Sequence, residues 1–261
     1  MTPLWAAPKT IPIGDFPEFH LFGLTFDGNI IASTLVVAAL IVVLTVIMGR
    51  KATSGVPSKY QLIWEILVVN VVGDLAASAI GPKEGKRFVP LGVTLFLLIL
   101  FSNWLGFLPT GLHPGSSYDI LPPPTSDVNL PIAMAIFVVI WVHIESIRAR
   151  RVRGYLRHYR QPYTALLPIN VIEEITKPIT LTFRLFGNIF AGALMISVMV
   201  VLLPVYVVPL GEIIWKPFDL FIGGLQAYIF MLLSVLYFGM AMSHDEGHEH
   251  APEEIPALAT S

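Results

Sequence analysis

The sequence has no cysteine, and only 13% of its 261 residues are charged. The absence of cysteine excludes disulfides, thiolate metal sites and cysteine catalysis. A soluble domain carries charge on about a quarter of its residues. The low charge, the 55% apolar content and the mean hydropathy of +0.73 therefore exclude an ordinary soluble domain. The composition predicts an all-α integral membrane protein.

Two motifs are also missing. The first ten residues, MTPLWAAPKT, lack the charged start and the long apolar core of a signal peptide. We therefore expect the first apolar run to insert and to remain in the membrane. The chain has no P-loop, so we expect that it carries out no nucleotide catalysis and needs no cofactor.

Five apolar runs are long enough to cross a hydrocarbon core of about 30 Å. They predict transmembrane helices within a membrane domain at residues 29–243, at about 30–49, 88–108, 128–147, 166–203 and 206–243. We assign residues 1–28 to an N-terminal extracytoplasmic segment and residues 244–261 to an acidic cytoplasmic tail.

Residues 58–80 form a different kind of segment. Polar side chains recur there every four or five residues, which makes a polar stripe on an otherwise apolar helix: Gln61, Glu65, Asn70, Asp74 and Ser78. The segment could be a sixth spanning helix. Because basic residues flank it on both sides, we predict instead an amphipathic helix in the plane of the membrane.

The orientation follows from the basic residues. Twelve of the sixteen Lys and Arg lie within residues 50–87 and 148–160, whereas the loop at 109–127 has none. The positive-inside rule places the two basic stretches in the cytoplasm and the uncharged loop outside. Five spans then put the N-terminus outside and the C-terminus inside. The arginine-rich run at 148–160 is typical of a cytoplasmic face beside anionic lipid, and we expect no nucleic acid partner.

A charged residue lies inside the fourth span. Placing Arg184 at membrane depth costs from about 2.5 to over 10 kcal/mol, so it needs a partner, a water-filled cavity or another protein. At about 100° per residue, Glu173, Lys177 and Asn188 share its helical face, and Glu173 lies about 16 Å away along the axis. On the last helix, Asp219 and Gln226 share a face in the same way.

These residues allow two interpretations. Arg184 could be a static ion-pair partner of Asp219 or of an acid elsewhere, with Asn188 and Gln226 as interhelical hydrogen-bond partners. Glu173 and Glu174 could be solvated at a helix start. Alternatively, an acid reaches inward from each side and a permanent cation lies between them. Carboxylates relay protons and a guanidinium does not release its own, so this pattern is that of an ion pathway in two parts.

Four segments resemble subunit a of the bacterial F-type ATP synthases. The most specific is Lys-Pro-Ile-Thr-Leu-Thr-Phe-Arg-Leu-Phe-Gly-Asn at residues 177–188, and Gln-Ala-Tyr-Ile-Phe at 226–230 is similar to the family's last-helix motif. Ser-Asp-Val-Asn at 126–129 and the segment from 103 to 109 are similar to two further family segments.

The resemblance implies a proton-conducting stator subunit of a membrane motor. Arg184 would face the carboxylates of a ring of c subunits and separate two offset half-channels, with the last two helices long and tilted against the ring. The other proton-pathway residues implied are Asn188, Asp219, Gln226, Glu173, Glu174 and Asp127. Further implied partners are a b-type peripheral stalk and the rest of the complex, in the bacterial plasma membrane.

The chain departs from the best-known enterobacterial pattern at two positions. Where that pattern has a glutamate nine residues after the arginine, this chain has Ala193, and where it has a histidine on the last helix, this chain has Asp219. We interpret this as an acid that has moved to the facing helix. The cytoplasmic acid could be either Glu173 or Glu174.

Other functions remain possible at this point. A stand-alone ion channel or secondary transporter is one, although transporters often contain internal repeats and no second copy of the Arg184 segment is present. A purely structural assembly factor would leave Arg184 and Asp219 without a task. The tail contains His244, His248 and His250, and we expect these side chains to be solvated rather than to bind a metal.

Overall fold

The long apolar runs of the sequence form long helices in the structure. The computed structural model describes residues 18–21, 24–107, 121–160, 167–204 and 206–242. Its long helices are α1 (Gly28–Lys51), α4 (Val89–Leu105), α5 (Asn129–Arg160), α6 (Leu167–Leu202) and α7 (Val208–Met242). The arginine-rich run is the helical continuation of α5, which the sequence analysis did not predict.

A short β-hairpin precedes α1 and departs from the predicted all-α pattern. Strands β1 (Glu18–Leu21) and β2 (Leu24–Asp27) pair antiparallel, with Glu18 opposite Asp27 and Leu21 opposite Leu24. The chain between Lys51 and α4 is also helical. It contains α2 (Lys59–Glu65), a π-helical stretch (Ile66–Gly73) and α3 (Asp74–Ile80), which together form the α2–α3 segment.

The α2–α3 segment is attached at its start by a polar contact. Ser58 caps α2 by accepting a hydrogen bond from the Gln61 backbone at 3.3 Å. The Gln61 side chain in turn donates to the Thr53 carbonyl at 2.9 Å and to Glu65 at 2.7 Å. Part of the predicted polar stripe therefore ties α2 to the turn that follows α1.

The core lies where α4 and α7 pack side by side, with α1, α3, α5 and α6 around them. Small residues permit close approach, as is usual between membrane helices. Gly239 of α7 lies against the Ala79 carbonyl of α3, and a Cβ on Gly92 of α4 would be 2.7 Å from Val72. Phe88 and Phe238 contact each other at 4.4 Å between ring centroids inside the larger buried cluster.

Five helices among the described residues are long and apolar enough to cross a membrane: Gly28–Lys51, Lys59–Ile80, Asn129–Arg148, Val171–Leu202 and Val208–Met242. Helix α4 is apolar but shorter, at 17 residues. Large apolar side chains are exposed along these helices, as expected of a surface in contact with lipid. The protein is thus an integral membrane protein whose membrane part is helical. Since the α2–α3 segment satisfies the length criterion too, its in-plane position stays a prediction.

Candidate functional site

Arg184 lies midway along α6 on a face that this chain leaves uncovered. Its neighbour Phe183 is 66% exposed, and a Cβ added at Gly187 would meet nothing within 4 Å. On the neighbouring side of the same turns, Leu181 and Leu185 are fully buried. Among the residues that the structure describes, no carboxylate lies within ion-pair distance of the Arg184 guanidinium. Arg184 is therefore an exposed cation without a carboxylate partner in the described part of the chain.

Asp219 of α7 faces α6 at a glycine. A Cβ built on Gly192 would be 2.8 Å from Asp219 Oδ1 and 3.2 Å from Oδ2, so the carboxylate occupies space that only a glycine leaves open. Gly192 is eight residues beyond Arg184, which places the carboxylate about 12 Å from the arginine along α6. The static Arg184–Asp219 ion pair of the first interpretation is absent from the described structure.

Gln226 lies two turns further along α7. Because α6 and α7 run antiparallel, its seven-residue offset from Asp219 brings it to about the level of Leu185, next to Arg184 in the sequence. Its side chain is 5% exposed, and its amide nitrogen has no acceptor among the described residues. Buried donors are nearly always bonded to protein or water. This nitrogen is therefore a buried donor whose acceptor is not among the described protein groups.

A hydrogen-bonded link between α4 and α7 lies one turn from Asp219. Asn103 donates from Nδ2 to the Gly223 carbonyl at 3.1 Å, and Thr125 donates from Oγ1 to Asn103 Oδ1 at 2.9 Å. Gly223 permits this, because a Cβ there would be 3.0 Å from the Asn103 Cβ. Neither Asn103 nor Thr125 was predicted from the sequence as a site residue. The amide of Asn103 near the end of an apolar helix was a signal that could have indicated a contact between helices.

The two glutamates at the other end of α6 have different surroundings. Glu174 is half-buried, pairs with Lys177 at 2.9 Å and lies 3.7 Å from Nδ1 of His143 on α5. The Lys177 ammonium in turn lies 5.3 Å from the ring centroid of Tyr237 on α7. Glu173 is exposed. The structure therefore places Glu174 in a polar contact between three helices, whereas Glu173 lies on the uncovered face that also carries Arg184.

The remaining predicted residues have local positions. Asn188 is half-buried one turn after Arg184. Asp127 accepts hydrogen bonds from the backbone and side-chain nitrogens of Asn129, at 3.1 and 3.0 Å, and so stabilises the start of α5. No contact in the described structure joins Asp127 to the Arg184 face.

Comparisons with known proteins show the family of this chain. The family model described as ATP synthase A chain matches residues 31–239. ATP synthase subunit a of Acidothermus cellulolyticus is 42% identical over 92% of this chain and 88% of its own length. Those of Mycobacterium leprae and Bacillus velezensis are 38% and 34% identical, over 92% and 90% of this chain and 96% and 99% of their own lengths. The chain belongs to the ATP synthase subunit a family.

Membership confirms the resemblance that the arginine motif carried. The protein is a multi-pass membrane protein and a component of the proton-translocating Fo part of the FoF1 complex, and proton transport and ATP synthesis follow from the family. No group of three or more His, Asp or Glu side chains that could hold a metal occurs within the described ranges. The tail histidines His244, His248 and His250 lie outside those ranges.

Proposed function

We propose that this subunit a conducts protons through two offset half-channels and that Arg184 separates them while facing a carboxylate of a c-subunit ring. The observation that carries the proposal is the uncovered position of Arg184. An arginine at membrane depth needs compensation, and its own chain supplies no acid within reach among the described residues. A carboxylate on a neighbouring, moving subunit supplies it.

The outer half-channel would run between α6 and α7 along Asp219 and Gln226 toward Asn188. Asp219 is half-buried against Gly192, and the Gln226 amide donor is buried without a protein acceptor in the described structure. A donor of this kind is suited to hold a water molecule. The positive-inside rule places Asp127 on the outer side, and its position at the outer entrance of this half-channel stays a prediction.

For the cytoplasmic half-channel we assign Glu173 rather than Glu174. Glu173 is exposed on the Arg184 face, about 16 Å from Arg184 along the helix axis. Glu174 is already neutralised by Lys177 at 2.9 Å. Glu174 therefore serves better as a structural contact than as a relay.

The proposed orientation has the N-terminus outside and the C-terminus in the cytoplasm. The in-plane α2–α3 segment is part of the same proposal. Its start is bonded to Thr53, just after the cytoplasmic Arg50 and Lys51. Its end packs against Gly85, which lies among the basic residues Lys83, Lys86 and Arg87 just before α4. Both ends thus contact stretches that the positive-inside rule places on one side. A b-type peripheral stalk is the second partner that we expect.

The decisive experiment is Arg184→Ala in membrane vesicles that carry the whole complex. We expect ATP-driven proton pumping to be lost while the c subunits still co-purify with this chain. Arg50→Ala is the control, because Arg50 is a cation in the last turn of α1 and is not among the residues of the proposed path. Normal pumping by Arg184→Ala, or proton flux through this chain without a c ring, would show that the mechanism is wrong.

A further inference from the structure

A cavity of about 600 Å³ opens at the end of the bundle where α4 begins and α7 ends. It lies outside the Arg184 face, and neither the proposed half-channels nor the family assignment uses it. Four of its lining side chains are charged and belong to two short segments: Glu84, Arg87, Glu145 and Arg148.

The charged lining carries both signs. Arg87 is 3.7 Å from Glu84, and Arg148 is 2.7 Å from Glu145. The two arginine side chains are 78% and 70% exposed, whereas the Glu145 side chain is only 17% exposed. Each guanidinium has five N–H donors, so its pairing with one carboxylate leaves donors for a further anion. The lining thus presents two accessible cationic groups, one accessible carboxylate at Glu84 and one sheltered carboxylate at Glu145.

The rest of the lining is apolar. Phe88 is buried against Phe238, and Trp141 is partly exposed at the cavity wall. Basic side chains and a tryptophan beside an apolar wall are typical of the level of the lipid headgroups. A cavity at that level offers a charged end for a headgroup and an apolar end for acyl chains.

We propose that this cavity binds the headgroup of an amine-bearing zwitterionic phospholipid such as phosphatidylethanolamine. The phosphate would be held by Arg87 and Arg148, and the ammonium would donate hydrogen bonds to Glu145 and Glu84. Charge complementarity favours this occupant over an anionic lipid, because the four lining charges sum to zero and the most sheltered of them is negative. Guanidinium groups bind phosphate with paired hydrogen bonds, and an ammonium with three N–H donors fits carboxylates.

The test is native mass spectrometry of the full-length chain in detergent with added phosphatidylethanolamine, phosphatidylcholine or phosphatidylglycerol at equal concentration. We expect the wild type to retain phosphatidylethanolamine best. Arg87→Gln with Arg148→Gln should reduce this retention by about tenfold for each arginine removed, because each variant loses a hydrogen bond between charged groups. Arg50→Gln with Lys51→Gln is the matched control, since it removes two cations at the end of α1 that do not line the cavity, and retention should not change.

Glu145→Gln separates the two signs of charge. It should weaken retention of phosphatidylethanolamine and strengthen that of phosphatidylglycerol. If circular dichroism shows that the double arginine variant does not fold, the Glu145→Gln result alone decides whether the cavity selects the zwitterionic headgroup. Three results would overturn the proposal: equal retention of phosphatidylethanolamine and phosphatidylcholine, stronger retention of phosphatidylglycerol by the wild type, or unchanged retention by a folded Arg87→Gln, Arg148→Gln protein.

Discussion

The Asp219 carboxylate on α7 lies against the Cα of Gly192 on α6, so that a Cβ at position 192 would be 2.8 Å from Oδ1. Gly192 directly precedes Ala193, the position at which the enterobacterial pattern has a glutamate. An acid on α7 therefore lies within one residue of the position at which that pattern has a glutamate on α6. That the acid has moved across the helix pair stays a prediction.

Gly192→Ala should displace the Asp219 carboxylate without changing any charge. The added methyl group meets Oδ1 at 2.8 Å and the carboxyl carbon at 3.2 Å, so the short aspartate side chain must turn away. Misplacement of a reacting group by about 1 Å can lower a rate by up to a hundredfold, and we expect a decrease of about tenfold in proton-driven ATP synthesis. Gly224→Ala is the control, because its Cβ would meet only Leu100, at 3.8 Å. Equal rates in the two variants would refute the proposed role of this contact.

Asp219→Asn should abolish protonation at this point while preserving the shape of the side chain. Proton transfer by a positioned group contributes about a hundredfold or more, so we expect ATP-driven pumping in vesicles to fall by about that factor. Adding Ala193→Glu to Asp219→Asn should restore part of the pumping if the two positions serve one task. Glu65→Gln, at a carboxylate of α2 that accepts a hydrogen bond from Gln61, should leave pumping unchanged. Wild-type pumping by Asp219→Asn would remove Asp219 from the path.

Glu173→Gln and Glu174→Gln should have different effects. Glu173 is exposed on the Arg184 face, so its amide variant should slow proton release and leave thermal stability unchanged. Glu174→Gln removes the carboxylate from Lys177 and His143, and we expect it to destabilise the folded protein by roughly 1–3 kcal/mol. Thermal unfolding in detergent and pumping rates in vesicles measure the two quantities. The opposite pattern would assign the relay to Glu174.

Asn103 and Thr125 should be energetically coupled. Asn103→Ala removes a donor to the Gly223 carbonyl and an acceptor for the Thr125 hydroxyl, so we expect a loss of roughly 1–3 kcal/mol of stability. Thr125→Val breaks only the second bond and should cost less. In a double-mutant cycle by thermal unfolding, we expect an interaction energy of at least about 0.5 kcal/mol. Strictly additive effects would show that the observed bonds do not link the two side chains energetically.

The local features of this protein follow from sequence patterns. The lengths of the apolar runs predict helices near the observed α1, α6 and α7, because a membrane requires about twenty apolar residues for each crossing. The arginine motif identifies the family, as the matched relatives confirm. By contrast, the β-hairpin and the helical continuation of α5 to Arg160 carry no strong periodic signal, and the sequence analysis did not predict them.

What the sequence determined by itself is the membrane class, the helical faces and the presence of a charged residue that must be compensated. Helical periodicity decides which residues share a face, but it does not say which neighbour that face meets. Only the tertiary structure showed that Asp219 lies at Gly192, and that Asn103 bonds to Gly223 across 120 positions of sequence. Likewise, only the tertiary structure showed that Glu174 contacts His143 of α5 and does not lie on the uncovered face of α6 that carries Arg184. These contacts depend on how separate helices pack, and that is set by the whole set of small and large side chains between them.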